Sequence, residues 1–386
     1  MRVLICPDKF AGTIGAADAA RAIAAGWSSV RPGDELEIRP LADGGPGFLE
    51  VLSAAVPSRR VPVATTDPLG RPVAAEILLV GTTAYIESAQ ACGLHLLTRK
   101  ERNPRITTSY GLGTLIAAAI ITGATEIVVG LGGSATNDAG AGLLNRLGVV
   151  AVDANEVQLP PGGAALLRCA WIGAGDPLGA IRLVGATDVD SPLVGASGAT
   201  AVFGPQKGAT AADLKLLERA LVHFGGVLGR DRGISDLASR PGGGAAGGLG
   251  AAIIALGGEL TSGIGLVRKV TGLDAALDRA DLVITGEGSL DEQSLRGKVV
   301  SDVAGVARDR GVPCVALAGV STVSGAQARA AGVTEIRTLV EHFGSVDAAM
   351  SRPAEGLTAL ASSVAVGYKS DKRRIARLDS GETNDT

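Results

Sequence analysis

Five stretches of this chain place acids just where an apolar, strand-like run stops. Asp8 and Lys9 follow Arg2–Cys6, and Asp43, Gly44 and Gly45 follow ELEIRPL. Asn137 and Asp138 follow the run Ile127–Val129, Asp188 and Asp190 close IRLVGATDVD, and Glu287 and Asp291 close ADLVITGEGSLD. In open α/β sheets ligands bind outside the carboxyl ends of strands. Carboxylates beside phosphate oxygens make a Mg²⁺ site, so the five loops together point to chemistry on cations and phosphates. Each acid alone reads better as an ordinary turn former; it is the five together that point to chemistry. Lys9, Lys207 in GPQKG and Lys298 in RGK stand beside glycines, where an ammonium can serve as a point charge on phosphate. The plainer reading of any single one is a solvated surface lysine.

The stretch Glu126–Gly148 (EIVVGLGGSATNDAGAGLLNRLG) combines a β-branched run, glycines and an apolar helical repeat. A strand, a Gly-rich turn and a helix start gather backbone N–H groups around one point, where the helix dipole favours an anion. Gly130, Gly132 and Gly133 let such a group approach the main chain. An ordinary glycine-permitted turn capped by Asn137 or Asp138 explains the same residues. A third reading is the dinucleotide fingerprint Gly130-x-Gly132-x-x-Ala135, with Asp153 near the ribose-binding position. That would make an NAD-dependent oxidoreductase of a small hydroxy acid. It ranks second, because Asn137 and Asp138 stand where the fingerprint helix should pack and the other acidic loops are left without a role. A non-catalytic small-molecule binder ranks third. No P-loop, no H-R-D or D-F-G pair and no G-x-S-x-G occurs.

The elements that must hold these loops follow from periodicity. Arg2–Cys6 and Glu35–Leu41 read as strands around a helix carrying Ile14, Ala17, Ala20, Ile23 and Trp27, with Thr13 as its N-cap. RPVAAEILLVGTTAYIESAQ gives two strand-like halves around Gly81-Thr82, a hairpin signal. TTSYGLGTLIAAAIITGA is a helix ending at Gly123, and Pro241–Gly258 a Gly-rich turn entering a helix. Strand-and-crossover grammar returns at ADLVITGEG, PCVALAG and EIRTLV. The expected fold is therefore α/β: a discontinuous Rossmann-like parallel-sheet domain (1–60 with 275–368) and an inserted second α/β domain (61–274). The active-site cleft is expected between them, and 369–386 is expected to be a frayed tail.

Composition narrows the partners. With 386 residues, 46% hydrophobic, 19% charged and 3% aromatic, the chain has the make-up of a globular protein of more than one core. A net charge of −3 without a sustained basic stretch argues against nucleic acid. Four scattered cysteines and three histidines argue against zinc. No apolar window suits a signal peptide or a membrane span, so a cytoplasmic protein is expected, as a monomer or homodimer.

Taken together, the motifs resemble the glycerate kinase family, from Met1 to about Leu360. PDKFAGT is similar to the family's P-D-[SK]-F-K-G, LADGGPG to L-A-D-G-G-E-G, and TTSYGLGTLI to T-T-x-Y-G-x-G-x-L-I. GLGGSATNDAGAG, DVDSPLVG, AVFGPQKGA, GAAGGLGA and ITGEGSLDEQSLRGK match further family blocks. Ala11 stands where the family has lysine, Pro46 where it has glutamate, and Thr187 and Ser191 flank D-V-D in place of cysteine and asparagine. The resemblance implies ATP-dependent phosphoryl transfer to a hydroxyl of D-glycerate with Mg²⁺, the 2-phospho product being the family's usual one. Such chemistry needs neutralised phosphates, an aligned hydroxyl and a proton acceptor. On this resemblance Gly132, Gly133, Ser134 and Lys207 are assigned to the phosphates. Asp43, Asp188, Asp190 and Glu287 share the metal and base duties: Asp188, Asp190 and Glu287 as metal ligands, Asp188 or Asp190 as base. Arg102, Arg296 and Lys298 are the cations for the glycerate carboxylate. Asp8, Lys9, Gly44, Gly45, Asn137, Asp138 and Asp291 are expected to line the substrate and nucleotide.

Overall fold

A computed structural model describes residues 1–370 apart from 293, 296 and 297. The chain enters with β1 (Arg2–Ile5) and β2 (Glu35–Ile38). It continues through β3 (Arg59–Thr66), β4 (Pro72–Val80), β5 (Thr83–Glu87), β6 (Glu126–Gly130), β7 (Ala151–Val152), β8 (Trp171–Ile172), β9 (Arg182–Ala186) and β10 (Glu259–Thr261). It closes with β11 (Leu282–Leu290), β12 (Cys314–Ser321) and β13 (Glu335–Thr338). The contacts divide it into two compact units, residues 1–42 with 268–386 and residues 43–267. The division at 60 and 274 expected from the sequence had put residues 43–60 in the first unit. The helix Phe48–Ala55 instead packs on β5 of the second.

In the first unit the sheet order is β13-β12-β11-β1-β2, parallel throughout. Its strands are short β-branched runs such as Val283–Ile284 and Val315, buried on both faces as parallel sheets require. The helix Ala16–Val30 turns Ala19, Ala20, Ile23 and Trp27 to this core. It also meets the helix Pro353–Ser370 at van der Waals range. A Cβ at Gly26 would stand 2.1 Å from the Thr358 carbonyl oxygen, so only glycine fits there. Thr13 does not cap the first helix: its hydroxyl donates to the Phe10 carbonyl, and the helix opens at Ala16 after Gly15. The tail expected from 369 lies, from 371 onward, outside the described residues.

The second unit carries a six-stranded sheet in the order β10-β9-β6-β5-β4-β3. β10, β9, β6 and β5 run parallel. The β4–β5 hairpin turns on Gly81 (φ 58°), as its sequence signal required, and reverses the sheet. β3 then runs antiparallel to β4 and ends, like β5, β6 and β9, on the edge from which the acidic loops leave. The helices Tyr110–Ile121, Ala211–Asp231 and Ala245–Ala255 cover this sheet with Leu115, Ile116, Leu221, Phe224, Leu249 and Ile253 in one core. Pro241–Gly258 enters its helix through a left-handed turn at Ala246, Gly247 and Gly248. Among the described residues no helix is long and apolar enough to cross a membrane.

Candidate active site

In the second unit, two glycine-rich loops lock together at the carboxyl end of the parallel strands. Gly44 (φ 90°) has no room for a side chain, since a Cβ would lie 2.6 Å from the Ala186 carbonyl oxygen at the tip of β9. A Cβ on Gly132 would reach within 2.6 Å of Gly45 Cα, and one on Gly133 within 2.9 Å of Pro46. Gly130 and Gly132 are thus accounted for by the backbone of Gly44 and Gly45, Gly133 by the Pro46 ring and Gly44 by the tip of β9. Leu131 N–H donates to Ala186 C=O at 2.9 Å, and Gly47 N–H to the buried Glu87 at the tip of β5 at 3.0 Å. The tips of β5, β6 and β9 are thereby tied into one floor.

Two carboxylates stand on this floor. Asp43 accepts from Gly45 N–H at 3.0 Å. Half-buried Asp188 accepts from Ser262 Oγ at 2.7 Å and from Ile264 N–H at 3.0 Å. Burial pushes the Asp188 carboxyl up to about 6, with the nearby Asp43 charge adding to the rise against those two hydrogen bonds. Gly263 lets the strand-end turn approach, as a Cβ there would meet the Asp43 carbonyl oxygen at 2.3 Å and Asp188 Oδ2 at 3.2 Å. Asp190 is exposed, its carbonyl anchored by Gly242 N–H at 3.0 Å. Ser262, which orients Asp188, escaped sequence reasoning; its only signal was a Ser-Gly pair after a short strand.

Lys207 and Asp138 lie inside the fold. Lys207 is 2% exposed and donates through Nζ to Ser134 Oγ at 3.0 Å and to the Thr136 carbonyl at 2.6 Å. Burial brings its ammonium down to about 7, and the Asp138 charge works the other way. Asp138 accepts from Ser109 N–H and Oγ, both at 2.8 Å, and from Gly140 and Gly142 N–H at 3.1 and 3.2 Å. It therefore caps the helix Ala141–Arg146 and latches it to the start of Tyr110–Ile121. Burial raises its carboxyl in spite of those four bonds. Asn137 donates to Thr200 Oγ1 at 2.9 Å, and its Oδ1 is buried without a partner. Arg102 packs its main chain on the turn after Lys207, since a Cβ on Gly208 would lie 2.4 Å from the Arg102 carbonyl oxygen.

The remaining candidates belong to the first unit: Asp8 and Lys9 lie just past β1, Asp291 just past β11, and Glu287, expected at a strand end, lies inside β11 opposite Ala318 of β12. Asp8 N–H donates to Gly286 C=O at 2.8 Å, placing buried Asp8 beside buried Glu287 along the backbone. Lys9 Nζ lies 3.5 Å from Asp8 Oδ1. Asp291 accepts from Ser294 N–H at 2.9 Å within its own turn. Lys298 precedes the helix Val299–Asp309. Arg296 lies outside the described residues.

Of the expected metal ligands, Asp188 and Asp190 belong to the second unit and Glu287 to the first; among the described residues no group of three or more His, Cys, Asp or Glu stands close enough to hold a metal ion. What stands together is the pair Asp43 and Asp188, whose mutual repulsion a divalent cation would relieve; Mg²⁺ takes one or two carboxylates with the rest from water and phosphate. The dinucleotide fingerprint needs a helix opening at Ala135. Residues 131–140 instead run irregularly into Ala141–Arg146, and Asp153 is turned onto the N–H groups of Asn155 and Val157 at 2.9 and 3.0 Å.

Residues 3–369 match the family described as Glycerate kinase family. The chain is 43% identical over 325 residues to a protein of Bacillus subtilis named Glycerate kinase, covering 83% of this chain and 85% of that one. It is 40% identical over 355 residues to a protein of Escherichia coli K12 named Glycerate 2-kinase, covering 90% and 93%. A crystal structure from Salmonella typhimurium LT2 that bears the name glycerate kinase 2 is similar at TM-score 0.78 and 37% identity, covering 97% of this chain and 99% of that one.

Proposed function

Since the chain belongs to the glycerate kinase family, we propose that it transfers the γ-phosphoryl group of ATP to the 2-hydroxyl of D-glycerate with the help of Mg²⁺. The observation that carries this reading is the interlocked pair of glycine loops with Asp43, Asp188 and Asp190 at one strand edge and Lys207 fixed beneath. The name of the Escherichia coli relative, Glycerate 2-kinase, supports the choice of hydroxyl.

Phosphoryl transfer asks the protein mainly for position and charge. Backbone N–H groups of the Gly132–Ser134 turn, held in place by Lys207, receive the phosphates. Arg102 meets the glycerate carboxylate. Asp43 and Asp188 would hold Mg²⁺, Asp188 being oriented by Ser262 and Ile264 as a ligand must be. The ion, when bound, neutralises charge on the phosphate oxygens. Asp190, on the same strand tip and open to solvent, accepts the proton of the attacking hydroxyl.

The test is ADP release across small hydroxy acids, with and without Mg²⁺, followed by NMR of the product. Glycerate-dependent release and phosphorus coupling to the C2 proton are expected. ADP release indifferent to glycerate would overturn the reading, and coupling to the C3 methylene would overturn the hydroxyl assigned. Asp190→Asn should lower turnover by about 100-fold or more; near-normal turnover removes Asp190 from the role of base.

A further inference from the structure

The second unit has a cavity of about 350 Å³ that the phosphoryl-transfer groups leave unused. Thr66, at the tip of β3, and Thr108 line it with Asn145, Gln158, Leu166 and Tyr110. Among the described residues no charged side chain lines it, so neither a phosphate nor a carboxylate finds a counter-charge there. The carboxamides of Asn145 and Gln158 in a mostly apolar wall can pair with the edge of a neutral heterocycle. The Tyr110 ring is 40% exposed and offers a face for stacking. Thr66 Oγ1 is buried with no hydrogen-bond partner.

The cavity also sits where a nucleotide needs it. Thr107, next to Thr108, donates through Oγ1 to the Ala135 carbonyl of the phosphate loop at 3.0 Å. A Cβ on Gly142, another wall residue, would stand 2.2 Å from Thr108 Oγ1, so this wall and the Asp138 latch are one packed piece. Both lie on the strand edge where ligands of such sheets bind. From the tip of β6 to the tip of β3 there are three strand steps, about 14 Å at ~4.8 Å each. That is the scale of an extended nucleoside triphosphate. We infer that this cavity takes the nucleobase of the ATP co-substrate, an inference that rests on the kinase reading above. Asn145 and Gln158 pair with the base edge, and Tyr110 covers its face.

Adenosine is the probe, titrated by calorimetry into the full chain and into Asn145→Leu and Tyr110→Ala, with Tyr110→Phe as a variant that keeps the ring. Adenosine is expected to bind the wild type and compete with ATP. Asn145→Leu and Tyr110→Ala should each weaken adenosine and raise the KM for ATP by about tenfold, leaving the KM for glycerate in place, while Tyr110→Phe binds as wild type. Absence of adenosine binding, binding undiminished in both variants, or inhibition that does not compete with ATP would overturn the assignment. Should the wild type release no ADP with glycerate, the kinase reading falls; the adenosine titration still decides the cavity.

Discussion

Asp188 shows what a single side chain gains and loses at this site. Its carboxyl is raised to about 6 by burial and by Asp43, so between its unfolded pKa and 6 the folded state binds more protons than the unfolded one. Without divalent cation, stability should therefore fall as pH rises from about 4 to about 6, by up to about 3 kcal/mol. Asp188→Asn should flatten that slope and melt higher than wild type at pH 7 in EDTA. Added Mg²⁺ should raise the wild-type melting temperature more than that of the variant. A variant that melts no higher in EDTA, or gains as much from Mg²⁺, would remove Asp188 from the cation site. The sequence could name Asp188 because it ends an apolar run. It could not separate it from Asp190, two residues on and of the same type, because one faces Asp43 and Ser262 and the other faces water.

Among the elements, glycine decides which helices and loops can meet. Gly26 lies in a helix against the backbone of Thr358, and Gly226 lies in the helix Ala211–Asp231 with nothing within 4 Å of where a Cβ would be. Replacing each with alanine should act oppositely. Gly26→Ala should cost about 2 kcal/mol or more by forcing the helices apart, whereas Gly226→Ala should stabilise by about 0.5–1 kcal/mol. Urea unfolding of both variants checks the pair; equal shifts would contradict the packing. In the loops, Gly132→Ala should lower turnover at least tenfold, because the new Cβ would displace Gly45 and with it Asp43. Unchanged steady-state kinetics would show that the loops have slack. The hairpin at Gly81 and the alternation of strands and helices were legible from local patterns. That Gly132 faces Gly45 and not only a ligand was not, since the two are far apart in the chain.

At the scale of the molecule, each unit has its own apolar core, one around Trp27, Ile284 and Leu317 and the other around Ile127, Leu221 and Ile253. The second is a single continuous segment, so the fragment 43–267 should give its own cooperative melting transition in calorimetry. A fragment without one would show that its core is insufficient alone. Period and turn chemistry are properties of neighbours along the chain. By them the sequence alone determined the α/β class, the interruption of the first unit by the second, the acid-bearing strand tips and the resemblance to a kinase family. Burial and proximity belong to residues distant in sequence, and only the tertiary structure decided those. It enclosed Lys207 and Asp138, paired Asp43 with Asp188, made the loop glycines answer to each other and opened the neutral cavity beside Thr108. A lysine next to glycines looks the same on paper in water or in a core; desolvation, which separates the two, exists only once the chain has closed around it.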